Sequence, residues 1–324
     1  MRTFWLVTLA VLVAVLSGLG PLQQRQTLIL AHNLDVTHPV HLGLVDFARR
    51  VNQESGGQLR VEVYPNGQLG SEREVLEQLQ LGAVAFTKVS SLSLESFSPL
   101  FGVLNAPYVF RDQTHAYRVL DGPVGQELLE AAVEQRIRGL TYYNSGTRSF
   151  YADRPILRPE DLAGLKLRVM GSQTAIRMTE LLGGSPAPMA YGEIYTAMQQ
   201  HVIDGAENNL TALTLSRHGE IAKHYSEDEH ICAPDVLVVS TAVWARLSPA
   251  QRELVARAAE QSKLVQRRLW DEAMADHRAQ AAAMGVEFHR VDKSLFAQRV
   301  RPLIEEMKAR GPDYRRLLEA IENG

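Results

Sequence analysis

The 324-residue chain contains a single cysteine, Cys232. An intrachain disulfide and a multi-cysteine metal site are therefore both excluded. Charge of one sign is missing too: 34 Lys and Arg against 37 Asp and Glu leave a formal charge of −3. Without a basic excess the electrostatic term that drives nucleic-acid binding is lost, so no nucleic-acid partner is expected. After residue 27 no apolar run is long enough to cross a bilayer. The chain also lacks HExxH, CxxC, GxSxG, a helix-opening GxGxxG and a P-loop, and its ten histidines are scattered. The expectation is a protein that is not an enzyme and carries neither metal nor cofactor.

What is present begins with MRTFWLVTLAVLVAVLSGLG. Arg2 supplies a positive start, and Phe4 to Leu16 is apolar apart from Thr8, a length that suits a signal-peptide core better than a membrane span. Ser17 and Gly18 offer small residues for cleavage, whereas Pro21 obstructs cutting after Gly20. With no cysteine near the segment's end, a lipoprotein is excluded. Residues 1–26 are read as signal peptide and short linker and the protein as periplasmic, an uncleaved anchor being the alternative.

The length suits two domains. Residues 27–33 read as a buried strand, and Val40, Leu44, Phe47 and Val51 follow at helical spacing. Leu59, Val61 and Val63 alternate as a second strand. Ser71 and Glu74 fit a capping box, Gly82 stops that helix, and Ala83 to Val89 is a third strand. Strand–helix–strand–helix–strand calls for a parallel sheet covered by helices. The rhythm restarts after residue 146, with a strand over Leu165 to Met170 and a helix capped by Ser172. A strand crossing near Thr141 to Tyr151 joins the two blocks. Ser248-Pro249-Ala250-Gln251 opens a helix, and no Gly or Pro interrupts it before Gly285. Thirty-odd residues at 1.5 Å each span about 50 Å, enough to brace both blocks; two helices with an unmarked break are the alternative. The charged run Glu227-Asp228-Glu229 reads as a solvated loop flanked by His224 and His230.

Candidate chemistry gathers at three places. Arg168 lies near the carboxyl end of a strand, where open α/β sheets bind ligands, and its planar fork suits a carboxylate. Arg148 lies in a polar turn between aromatic residues at the crossing, as small-molecule clefts require. Asp204-Gly205-Ala206-Glu207-Asn208-Asn209 turns tightly and presents two amides.

These segments resemble a known family. YPNGQLGSEREVLEQLQLG, YYNSGTRSFYA, LAGLKLRVMGS and PAPMAYGEIYTAMQQHVIDGAENN, with the Ser-Pro-opened long helix, are similar to the periplasmic substrate-binding proteins of TRAP transporters, DctP type, over residues 27 to 320. The resemblance implies a two-lobed α/β fold of the periplasmic solute-binding protein kind (type II-like), with a cleft between lobes and a long spanning helix. Lobe I would hold 27–145 plus 234–273, and lobe II 146–233 plus 274–324. The family's substrate-carboxylate arginine falls on Arg168, its second ligand arginine on Arg148, its cleft asparagine on Asn208, an aromatic position on Tyr191 and a further contact on Asn33. Receptors for sialic acid carry a glutamate where this chain has Ser90, which argues against that ligand. The segment KHYSEDEHICAPDVLVVS is similar to receptors for uronates and aldonates; in that reading Glu74 and His230 bind substrate hydroxyls. The implied partners are a small organic acid and the TRAP membrane permease subunits, with a monomeric receptor. The alternatives are a C4-dicarboxylate receptor, a periplasmic ligand sensor, or a periplasmic enzyme acting on sugar acids.

Overall fold

The structure is a computed structural model that describes residues 25–324; the expected signal segment lies outside the described residues. The first sheet is built from β1 (Gln26–Ala31), β2 (Leu59–Tyr64), β3 (Phe86–Ser90), β4 (Ile137–Tyr143) and, from later in the chain, β10 (Asp235–Ser240), in the order β2-β1-β3-β10-β4. The second contains β5 (Arg148–Ala152), β6 (Lys166–Val169), β7 (Ser185–Pro188), β8 (Gly205–Asn208), β9 (His224–Ile231) and β11 (Glu287–Arg290), in the order β11-β9-β5-β8-β6-β7. Among the described residues no helix is long and apolar enough to cross a membrane.

The strands β1, β2 and β3 are parallel, as are β6, β7 and β8. Helices Pro39–Glu54, Glu72–Leu81 and Gln173–Leu182 make the crossovers that parallel pairing needs. The sheets are nevertheless mixed. Residues 144–147 carry the chain from β4 into β5, and residues 232–234 carry it back from β9 into β10. Two crossings that run in opposite directions side by side must pair antiparallel, and β10 with β4 and β5 with β9 do so.

The long helix Pro249–Ala283 is continuous over 35 residues and opens on a Ser248–Gln251 capping box. Its first half packs Leu254, Val255 and Ala258 with Phe47, Val51 and Leu59 under the first sheet. Its far end places Ala281 with Tyr151, Ala206 and Tyr225 under the second. Midway, Gln266 satisfies the crossing backbone: Asn144 N donates to its Oε1 (2.7 Å), and its Nε2 donates to Asn144 O (2.8 Å). The helix thus braces both sheets and the passage between them. A third core runs from Leu76 and Phe101 through Leu167 and Met178 to Phe296 and Leu317. The C-terminal helix Pro312–Asn323, which the resemblance places with lobe II, packs against the helix Lys293–Lys308 and also against residues 99–105 and the helix Pro123–Glu130.

The run Glu227-Asp228-Glu229 is not a solvated loop. It belongs to β9, with Asp228 and His230 fully buried while Glu227 and Glu229 stay partly exposed. The ladder to β5 shifts register between Arg148 and Phe150, and Glu229 takes φ 47°. Such a bulge re-aims side chains; here it turns Asp228 and His230 inward behind β5.

Candidate functional site

A cavity of about 320 Å³ lies between the sheets and takes walls from both. Its second-sheet wall is made by the strand ends. Arg148 opens β5 beside β8, whose register sets Phe150 opposite Glu207 and Ser149 opposite Asn208. Arg168 sits in β6 on the other side of β8, opposite Ala206. Both arginines are buried, at 4% and 2% exposure, yet both reach the cavity.

The two cations differ in how they are satisfied. Arg148 donates Nε to Glu207 Oε2 (2.5 Å), Nη2 to Glu207 Oε1 (2.9 Å) and carbonyl oxygen (2.8 Å), and Nη1 to Asn208 Oδ1 (2.8 Å). Burial works against its charge, but Glu207 outweighs burial and holds the guanidinium above its ordinary value. Arg168 spends Nε and Nη2 on one carbonyl, Met189 O (3.1 and 2.9 Å). Its Nη1 is buried without a partner among the described residues. Burial, only partly offset by Glu207, pulls it below the usual arginine value. A buried donor on an unpaired cation is costly, and an anion in the cavity removes that cost.

Behind Arg148 the network continues. Glu207 Oε2 lies 3.4 Å from His230 Nε2, and His230 Nδ1 lies 2.7 Å from Asp228 Oδ2. Burial opposes charge on His230, but Asp228 and Glu207 raise it to about 9. Burial would raise Glu207, but Arg148 and His230 bring it down to about 2. Two cations and two carboxylates thus cancel, which leaves Arg168 as the cleft cation without a carboxylate.

The first-sheet wall is acceptor-rich. Lys88 Nζ, on β3, reaches Glu72 Oε1 (2.8 Å) and Asp235 Oδ1 (3.3 Å), and Ser93 Oγ donates to Glu72 Oε2 (2.6 Å). Burial disfavours the Lys88 charge, but Asp235 and Glu72 hold it above the usual lysine value; burial pushes Asp235 up. Asn33, just past β1, points a buried Oδ1 that has no partner among the described residues. His38 Nε2 bridges to Thr211 Oγ1 (3.2 Å), and Ser96 Oγ donates to Gly171 O (2.5 Å), so both walls touch around the cavity.

Five of the seven sequence candidates line this cavity: Arg168, Arg148, Asn208, Asn33 and Tyr191. Tyr191 is anchored by its hydroxyl to Ser216 Oγ (2.6 Å), which fixes its ring in the wall. Glu74 is not brought there. Its Oε2 accepts from Ser71 N (2.8 Å) and Oγ (2.9 Å) in the capping box, and the residue is exposed. Glu72, two helical positions earlier, is the carboxylate that faces the cleft, because two residues correspond to about 200° of helix rotation. His230 is not a wall residue either; it stands one layer back, behind Glu207, and borders a second cavity of about 490 Å³. Reading the sequence also missed Lys88 and Asp235. A lysine in the mostly apolar run 83–89 and an aspartate opening a later apolar strand were the available signals.

Gly205 explains why the DGAEN turn needs glycine. A Cβ there would lie 2.3 Å from Tyr151 O and 2.9 Å from the Ala152 Cβ across the β5–β8 pair. Gly205→Ala is expected to destabilise the protein by about 1–3 kcal/mol, as overpacking typically does, measured by urea unfolding.

Residues 30–310 match the family described as bacterial extracellular solute-binding protein, family 7, DctP. The chain belongs to that family. This DctP-family chain is 40% identical to the Salmonella typhimurium protein YiiZ over 298 residues, 91% of each. Two solved TRAP periplasmic solute-binding proteins superpose on it with a TM-score of 0.90. The one from Anaerococcus prevotii holds D-glucuronate, is 36% identical, and the match covers 92% of this chain and 98% of that one. The one from Bradyrhizobium sp. BTAi1 holds D-galacturonate, is 38% identical, and the match covers 92% of this chain and 100% of that one. The fold is therefore that of the TRAP solute-binding proteins, a family of extracytoplasmic binding proteins, as the motifs implied.

Proposed function

We propose that this chain is an exported receptor for a uronate-type sugar acid, which it binds without turnover and passes to a TRAP membrane permease. One observation carries the reading: two buried polar atoms without partners among the described residues, the donor Arg168 Nη1 and the acceptor Asn33 Oδ1, lie in opposite walls of one cavity. A ligand that satisfies both has a carboxylate at one end and a hydroxyl donor at the other. Glu72 and Asp235 add two carboxylates beside the Lys88 ammonium on the same wall as Asn33, acceptors suited to ligand hydroxyls. A C4 dicarboxylate would turn its far carboxylate toward these acceptors. The bound uronates of the two similar structures support the same choice. Because Arg168 and Asn33 stand in opposite walls, one from each sheet's side of the cavity, the ligand favours the closed arrangement by contacts available only there.

Calorimetry against D-glucuronate, D-galacturonate and succinate tests the reading. A uronate is expected to bind in the micromolar range, about −8 kcal/mol, with succinate at least about 100-fold weaker, a difference of roughly 3 kcal/mol. Succinate binding as tightly as either uronate overturns the assignment, and a chemically altered sugar acid recovered after incubation overturns the non-enzymatic part.

A further inference from the structure

At the outer edge of the second sheet, β11 pairs with β9 alone. The parallel register sets His224 opposite Glu287 and Ser226 opposite His289. Residues 287 and 289 share one face because side chains alternate with period 2, and a directly paired residue points the same way. His224, Glu287 and His289 therefore converge. His224 Nδ1 and His289 Nε2 are 2.9 Å apart, and Glu287 Oε2 lies 3.7 Å from the first and 4.0 Å from the second. Tetrahedral zinc with bonds of about 2.0–2.1 Å holds its donors about 3.4 Å apart, so the two nitrogens separate and the carboxylate oxygen closes by about half an ångström each on binding.

We infer that His224, Glu287 and His289 form a zinc-binding site that clips β11 to β9. Two imidazoles and a carboxylate are a donor set suited to zinc, with solvent in the fourth position. The site is reachable: the histidine side chains are 20% and 21% exposed and that of Glu287 is 70% exposed. The neighbouring Lys223 does not compete, since its ammonium is held by the carbonyls of Gly219 (2.9 Å) and Met284 (2.8 Å). Without metal, the two ring nitrogens share one hydrogen bond. On binding, the ring that donates moves that proton to its other nitrogen, so each ring presents a lone pair to the metal. The clip holds the short edge strand that follows the long helix, at the far side of the sheet from β6 and β7. It is independent of the ligand cleft.

The test uses the untagged full chain stripped with EDTA. Zinc titration is expected to show one equivalent bound, with a rise of several degrees in Tm at saturating metal, and cobalt(II) substitution to give visible absorption from a low-symmetry nitrogen–oxygen site. His289→Ala is expected to abolish that equivalent, and Glu287→Gln to weaken it at least tenfold. The metal-free Tm and circular dichroism of both variants report whether they remain folded. No binding at submillimolar zinc overturns the inference. So does an unchanged stoichiometry in His289→Ala, which would place the metal elsewhere.

Discussion

Arg168→Lys is expected to weaken uronate binding by roughly 100- to 1,000-fold, as the loss of a buried charge-assisted hydrogen bond of about 3–4 kcal/mol implies. The reason is the division of labour on the guanidinium. Nε and Nη2 are tied to Met189 O, and Nη1 is the part left to meet the ligand. The tether fixes the direction of Nη1, so its geometry is set before the ligand arrives. A lysine ammonium is a point charge on a flexible stem. If it bonds to Met189 O it withdraws from the cavity, and if it enters the cavity it leaves that buried carbonyl unpaired. Calorimetry with D-glucuronate, alongside circular dichroism to confirm folding, measures the loss. A folded variant with affinity within threefold of the parent would mean that the carboxylate sits on Arg148. That outcome would have to use the second Nη1 hydrogen of Arg148, the one N–H of that fork not already donating.

The same contrast shows what could be read from the sequence. Strand periodicity and the position of Arg168 near a strand's carboxyl end marked it, and the glycine-opened DGAENN turn marked Asn208. Those signals are local, and local patterning survives into the fold. The long helix was legible because nothing breaks it between Pro249 and Gly285. What was not legible depends on contacts between distant segments. Asp228 looked solvated because its neighbours are charged, and only pairing with β5 across a bulge buries it together with His230. Glu74 and Glu72 both sit in the first helical turn, and the capping box drew attention to the one it consumes. Lys88 and Asp235 meet only because β10 returns from the second sheet to lie beside β3. The antiparallel pairs follow from the double crossing, which no single segment encodes.

Glu207→Gln is expected to cost about 3–5 kcal/mol of stability, the range for breaking a buried pair from one side. Arg148 and His230 would both lose a carboxylate inside the protein. The pH dependence carries a further signature. His230 is raised from 6.5 to about 9, so its contribution is fully present below pH 6.5 and is lost as pH rises through 9. Glu207 is lowered from 4.5 to about 2, so its contribution is present above pH 4.5 and is lost as pH falls through 2. The network therefore stabilises most between about pH 4.5 and 6.5, and the alkaline loss amounts to on the order of 3 kcal/mol. Glu207→Gln shrinks that alkaline limb, and Asp228→Asn, which removes the larger influence raising His230, shrinks it further. Urea unfolding from pH 5 to 9.5 on the three proteins resolves both effects. Equal alkaline slopes in all three would show that His230 is neutral in the folded protein. Arg148 would then be held by Glu207 alone, with no second cation behind the cleft.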